Sequence, residues 1–250
     1  MAELRIDKYI PGELDSVGKQ LLADRIRELD PDKAYSEVLR RRVDGQMKEY
    51  CTDIYFIGSI DGKFASRHWN GWGKHKDAVG NFGHFNTNEE LRGQGIDRKM
   101  LAAWYEDLMS RPDKPLALFC TSAPRIAATY LRYGFKIAVE GFNGPPMYLP
   151  LGDSPSTFDA FCAQYYPKQT SLREAPAHMM YRHEIDCLLK FARLNRQMSI
   201  GFEGIPTFED AYVQNRLDDL VLYFTDNDHV AGWGLKTENG IQKQLYPDYE

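Results

Sequence analysis

The spacing of apolar residues divides the chain into an ordered series of strands and helices. Glu3 to Tyr9 (ELRIDKY) alternates between polar and apolar positions, which predicts an edge or second strand. Pro11 predicts the opening of a helix that carries Leu14, Val17, Leu21 and Ile26 on one face. A second helix is expected over Ala34 to Tyr50, with Val38, Val43 and Met47 inward. Asp53 to Trp69 holds two strands, IYFIGSI and KFASRHW, joined at Asp61-Gly62, a dipeptide suited to a two-residue hairpin turn. Asn70 to Gly80 (NGWGKHKDAVG) is polar and glycine-rich and reads as a loop. Asn81 to Thr87 (NFGHFNT) is a further strand, after which Ile96, Met100, Leu101, Trp104 and Leu108 recur at helical spacing up to Met109.

Downstream, Leu116 to Thr121 (LALFCT) predicts a short apolar strand, and Ala123 to Tyr133 a helix that stops at Gly134. The runs FKIAVEGF and MYLPL close the sheet as a last pair of strands around Asn143-Gly144-Pro145-Pro146. The fold class expected is α/β: a mixed, mostly antiparallel sheet flanked by helices, forming a domain over residues 1–151. Gly152 to Ser156 (GDSPS) reads as a linker to a smaller α/β domain over 152–250. That second stretch repeats the order of the opening. It has a strand at Ser171 to Glu174, a helix with Tyr181, Ile185, Leu188 and Ala192 on one face, and a helix over Phe208 to Leu217. A hairpin of Leu220 to Phe224 and His229 to Leu235 across Asp226-Asn227-Asp228 completes it. Two readings of this parallel stand side by side, a coincidence of common elements and a degenerate partial second copy without a glycine-rich loop. Phe158, Phe161, Tyr165, Tyr166, Phe202, Phe208, Tyr212, Tyr223, Phe224 and Trp233 give this part more aromatic surface than a solvated tail carries, so it is expected to fold and dock.

The chemistry is concentrated between the strand ending at Thr87 and the helix that follows. Asn88 to Leu101 (NEELRGQGIDRKML) is a strand-to-helix turn containing Gly93 and Gly95. The first N–H groups of a helix lack intrahelical partners and the helix dipole adds positive potential, so such a turn is suited to a phosphate. This turn and the later helix together resemble the GNAT family of acyl-CoA N-acyltransferases. The family's pyrophosphate loop, Arg/Gln-x-x-Gly-x-Gly/Ala, is matched by Arg92, Gly93, Gln94, Gly95 and Ile96, with Asp97 in place of the last Gly or Ala. The family's Ala-x-x-Tyr-x-x-x-Gly-Phe is matched by Ala127, Tyr130, Gly134 and Phe135, although Pro124 stands where Asn is usual. The resemblance covers about the first 150 residues.

It implies an enzyme that moves an acyl group, acetyl foremost, from acyl-CoA to the amine of a small metabolite. The backbone of Arg92 to Asp97 would hold the pyrophosphate; Phe85, Asn86 and Thr87 would face the pantetheine and the acyl carbonyl; Tyr130 would be the general acid. Asp97 departs from the pattern: its carboxylate either points away from the anion or weakens its binding. The general base is open. Gly83 and Asn81 occupy the positions where family members often place Glu or His, and neither takes a proton. His84 is the nearest titratable residue, though strand alternation turns it to the opposite face unless a bulge re-aims it. His68, Glu89 and Glu90 are further candidates. Two other readings remain, a CoA-binding module without turnover and acyl transfer from a carrier protein.

Composition narrows the field. Hydrophobic residues make up 43% and charged residues 27% of the chain, the proportions of a globular protein. No apolar run has membrane-spanning length and the start MAELRID lacks a signal-type core, so a cytoplasmic protein without a membrane partner is expected. A formal net charge of −5 argues against a nucleic-acid partner and permits a cationic amine. Cys51, Cys120, Cys162 and Cys187 show no metal-type spacing, so buried thiols and no metal are expected. The assembly expected is a monomer or homodimer.

Overall fold

The computed structural model describes residues 3–29, 36–168, 171–198 and 204–249. The chain forms two compact units, one of Met1–Lys74 with Phe82–Lys114, the other of His75–Asn81 with Pro115–Glu250. The units do not divide at Gly152; the chain passes between them three times, after Lys74, after Asn81 within β4 and after Lys114.

In the first unit, β1 (Leu4–Tyr9) is an edge strand that pairs antiparallel with β2 (Cys51–Ile60). β2 turns into β3 (Lys63–Gly73) through Asp61 and Gly62, both at positive φ (50° and 75°), as a tight hairpin requires. β4 (Gly80–Thr87) lies next to β3. β3 runs further than its sequence suggests. Asn70 to Gly73, expected in a loop, pair with Cys51 to Ile54 and are buried. The strand extends because its pairing buries Trp72, and Gly71 fits there because a Cβ would stand 2.9 Å from the Thr52 carbonyl and from the Trp69 ring.

Between β1 and β2 the chain forms α1 (Ser16–Leu29) and α2 (Glu37–Val43). The inward face of α1 differs from expectation: Val17 and Leu21 are exposed, while Leu22, Ala23 and Ile26 are buried. Pro11 opens only a single 3-10 turn, Pro11–Glu13, and Leu14 is extended, so the helical count starts at Ser16 with Asp15 Oδ1 accepting from Gly18 N–H. Ser36 caps α2; the start expected for that helix, Ala34 and Tyr35, lies outside the described residues. One face of β2 and β3 packs Tyr55, Ile57, Phe64 and Trp69 against α1 and Val43 of α2. On another side of the strands, α3 (Ile96–Ser110) buries Ile96, Met100, Leu101, Trp104 and Leu108, the stripe that the spacing predicts. Gly58 lets α3 approach, since a Cβ there would meet Met100 Sδ at 2.8 Å.

In the second unit, Gly80 and Asn81 of β4 pair in parallel with β5 (Ala117–Thr121), which pairs antiparallel with β7 (Pro146–Pro150), and β7 with the two-residue β6 (Lys136–Ile137). α4 (Pro124–Arg132) lies between β5 and β6 in sequence and ends at Gly134 (φ 91°). A helix absent from the sequence reading, α5 (Phe158–Tyr165), places Phe158 and Phe161 against Phe119 of β5 at ring separations of 5.9 and 6.2 Å.

β8 (Arg173–Pro176) leads into a helical stretch whose first part, Glu184–Leu189, is π-helical and whose second is α6 (Lys190–Asn195). After α7 (Gly204–Val213) come β9 (Leu220–Phe224), β10 (Val230–Thr237) and β11 (Gly240–Leu245), the last also unforeseen. These strands make an antiparallel sheet in the order β11-β10-β9-β8. Of the aromatic residues expected to anchor this part, Phe158, Phe161, Tyr165, Tyr166, Phe208, Tyr223, Phe224 and Trp233 are buried; Phe202 lies outside the described residues.

Candidate functional site

The turn between β4 and α3 is built in two steps. Asn88 Oδ1 accepts from Glu90 N–H and starts a 3-10 turn over Glu89–Leu91; the chain then passes through Gly93 and Gly95, at φ 78° and 74°, into α3. That left-handed conformation costs a residue with a Cβ about 1–2 kcal/mol, which is why glycine stands at both places. A Cβ on either would meet nothing within 4 Å, so their outer faces are open. Among the described residues, the N–H groups of Gly93, Gln94 and Gly95 find no backbone acceptor, and those of the first turn of α3 have none by the geometry of a helix. These donors stand at the positive end of a 15-residue helix.

Arg92 supports the turn instead of reaching outward: Nε donates to Thr87 O at 3.3 Å and Nη1 to Glu89 Oε1 at 2.7 Å. Gln94 Nε2 donates to Glu90 O at 3.4 Å. Asp97 is half-buried in the first turn of α3, where a carboxylate suits the dipole.

β4 is irregular where the sequence reading places the acyl carbonyl. Phe82 and Phe85 both stand against the His68 ring, at 5.4 and 6.0 Å, although residues three apart on a regular strand face opposite sides. The irregularity sits at His84, whose φ is 55°. The kink leaves His84 exposed, with its ring edge-on to Trp69 at 5.4 Å. A bulge of this kind re-aims side chains and ends regular pairing. Consistent with that, the parallel ladder of β4 with β5 holds only Gly80 and Asn81 among the described residues. The carbonyl of Asn86 and the hydroxyl of Thr87 are both engaged by Ser66 Oγ, at 2.9 and 3.1 Å.

Two of the titratable candidates have settings that limit them. His68 is fully buried, stacked on Phe56 at 4.7 Å and boxed by Phe82, Phe85 and Trp104; burial pushes its pKa down to about 3, so it stays neutral near pH 7. Tyr130, in the second unit, is the one buried side chain of α4 and lies tilted against Phe135 at 5.4 Å. Burial, and then the neighbouring Cys120, raise its phenol pKa. Its proton is thereby held more firmly, and transfer to a thiolate is more uphill than in water. Glu89 is bound to Arg92 and Glu90 is exposed, both at the entrance of the turn.

No protein-family model matches the chain, and no curated protein matches it. Over about three-fifths of its length it is similar to solved structures of acyl-CoA N-acyltransferases. One, an acyl-CoA N-acyltransferase from Pseudomonas aeruginosa, is 15% identical and matches 59% of this chain and 99% of its own, with a TM-score of 0.44. ElaA of Escherichia coli is 16% identical over 59% of this chain and 99% of its own, with a TM-score of 0.41. The GNAT-family N-acetyltransferase YhbS of Escherichia coli, solved in complex with CoA, is 16% identical over 64% of this chain and 86% of its own, also at 0.41. Among the described residues no helix is long and apolar enough to cross a membrane.

Proposed function

We propose that the protein is an acyl-CoA-dependent N-acyltransferase that moves an acyl group, acetyl foremost, onto the amine of a small metabolite. The observation that carries this reading is the turn at Gly93 and Gly95, with its open donors ahead of α3. In this reading Arg92 to Asp97 bind the CoA pyrophosphate through backbone N–H groups, and Arg92 holds the turn in shape. The kinked segment Phe85, Asn86 and Thr87 positions the thioester carbonyl, where an N–H donor stabilises the developing oxyanion. The amine nitrogen attacks the carbonyl carbon, the carbon–sulfur bond breaks, and Tyr130 gives its proton to the departing thiolate. His84 or an ordered water takes the amine proton. The protein is read as cytoplasmic, a monomer or homodimer.

A second reading, a CoA-binding module without turnover, is favoured by Asp97 in the first turn of α3 and by Gly83 and Asn81 where a base would stand. A thiol-release assay with acetyl-CoA against an amine panel, run beside a thermal shift on CoA, separates the two. Turnover supports the first, a shift without turnover selects the second, and no shift at millimolar CoA removes both. Tyr130→Phe should lower turnover about 100-fold while leaving CoA affinity unchanged; full turnover in this variant would remove Tyr130 from the chemistry.

A further inference from the structure

Away from the glycine turn, the first unit holds a cavity of about 250 Å³ that the acyl-transfer reading does not use. It lies where the Pro11–Glu13 turn, the chain after α2, the first residues of β2 and the segments just beyond β3 and α3 come together. Its walls are close-packed: a Cβ on Gly45 would stand 3.0 Å from Pro11 O, and one on Gly12 would stand 2.8 Å from Lys48 Cβ. The backbone at Gly12 and Gly45 thus sits tightly against its neighbours beside the cavity, while Glu13, Lys48, Glu49 and Lys74 are exposed at its rim.

The lining is charged down to its buried part. Arg42 and Asp53, 5% and 7% exposed, pair at 3.3 Å; Asp53 also accepts from Trp69 Nε1 at 2.8 Å, and the Arg42 guanidinium lies over the Trp69 ring at 4.6 Å. Arg111 and Asp113 form a two-pronged pair at 3.0 Å. Lys48, Glu49, Lys74 and Glu13 complete the charged lining, and among the described residues these four make no ion pair. A buried ion pair stabilises a fold little compared with apolar side chains of the same size. What such a lining does well is recognise charge. With the two pairs and these four counted, cations and carboxylates are equal in number, four and four, which disfavours a polyanion. The volume is also below the roughly 300–1,000 Å³ of pockets that take drug-sized ligands, so coenzyme A and nucleotides do not fit.

We propose that this cavity binds a free α-amino acid, independently of acyl-CoA. The ligand's carboxylate meets Lys48 and Lys74, and its ammonium meets Glu13 and Glu49. Titration calorimetry on the full chain without CoA, against the standard L-amino acids and their N-acetyl and C-terminal amide forms, tests this. At least one amino acid should bind, with both blocked forms weaker by about tenfold or more, because each loses one charge-assisted partner. Lys48→Glu combined with Lys74→Glu changes two exposed residues and should weaken binding by about tenfold or more with unchanged circular dichroism. The proposal fails if no amino acid binds the folded protein at millimolar concentration, if a blocked form binds as well as the free one, if the double variant binds normally, or if inorganic phosphate binds more tightly.

Discussion

The strand order β1-β2-β3-β4 in the first unit and β8-β9-β10-β11 in the second follow one plan. Each begins with a strand, passes through helices, and returns as a strand antiparallel to the first, followed by a hairpin. Both join helices to strands with apolar contacts and buried polar groups, and in the first unit Arg67 of β3 donates to the Ile26 carbonyl of α1 at 2.8 Å; they differ in how many buried ion pairs they carry. The first sheet is covered by apolar side chains: Leu22, Ile26 and Val43 meet Tyr55, Ile57 and Trp69, while Trp104 packs by Phe82 at 4.5 Å. The second adds buried ion pairs to an apolar core that includes Leu188, Phe191, Phe208 and Trp233. Glu184, fully buried at the start of the π-helix, accepts from Val230 N–H at 3.0 Å and lies 2.7 Å from His75 Nε2. Arg193 donates to Leu245 O at 2.6 Å, and Arg182 pairs with Glu209. His75 Nδ1 faces the Lys76 carbonyl at 3.0 Å. Against the pull of burial, the carboxylate beside Nε2 and the carbonyl beside Nδ1 both favour the charged ring and raise its pKa. The shared plan is what a degenerate copy would keep, and the difference lies at the turn: the first sheet's Gly93 and Gly95 leave backbone donors open ahead of α3.

The sharpest way to break this comparison is to cut the chain after Gly152. Phe119 of β5 packs on Phe158, Phe161 and Phe191, and Tyr148 Oη donates to Pro155 O at 2.7 Å, so the cut should leave the second unit without a core. By hydrogen exchange, residues 115–151 of the truncated protein are expected to lose their protection while the first unit keeps its own; residues 115–151 that stay protected would show that the division falls at Gly152 after all. Next in size, Trp104→Ala should cost about 4 kcal/mol in urea unfolding, an apolar loss nearly independent of pH. Glu184→Ala should cost about 3 kcal/mol, because it leaves the Val230 N–H and the His75 ring without their acceptor. Equal pH dependence of the two losses would erase the contrast.

The two units should also respond to pH in opposite directions. His68, held near pKa 3, resists the proton that the unfolded chain takes up below about 6.5, so the first unit should lose about 1.4 kcal/mol per pH unit between about 6.5 and 3. Burial alone would lower the pKa of His75, but Glu184 and the Lys76 carbonyl outweigh it and the net shift is upward. Its contribution is therefore complete below about pH 6.5 and is lost as pH rises through the folded value. His68→Leu should flatten the acid limb and His75→Gln the alkaline one, each read by urea melts across pH. The smallest effect expected is that of Gly95→Ala, about 1 kcal/mol of stability from the left-handed backbone alone.

How far the sequence reveals this molecule depends on whether the deciding contacts are local. The α3 stripe, the Asp61-Gly62 hairpin and the glycine turn follow from residues within a few positions of one another, and each is where the spacing puts it. The face of α1 is shifted because Leu14 falls outside the helix, a matter of where the first turn closes. Asn70 to Gly73 become strand through pairing with Cys51 to Ile54, which composition does not disclose. The kink at His84 lies against Trp69 on the neighbouring strand, and Glu184 of the π-helix meets His75 and Val230, neither of which spacing discloses. The division of the units follows from aromatic contacts between Phe119 of β5 and Phe158, Phe161 and Phe191, the last 72 positions later, and no linker-like stretch signals that.

The central proposal to test is that the first sheet's turn is an anion site for CoA. Hydrogen exchange of the full chain with and without CoA measures this at the backbone itself. The amides of Gly93 to Arg98 are predicted to slow on CoA addition, while those around the Asp226-Asn227-Asp228 turn of the second sheet stay unchanged. CoA binding that leaves Gly93 to Arg98 exchanging at the free rate would contradict it.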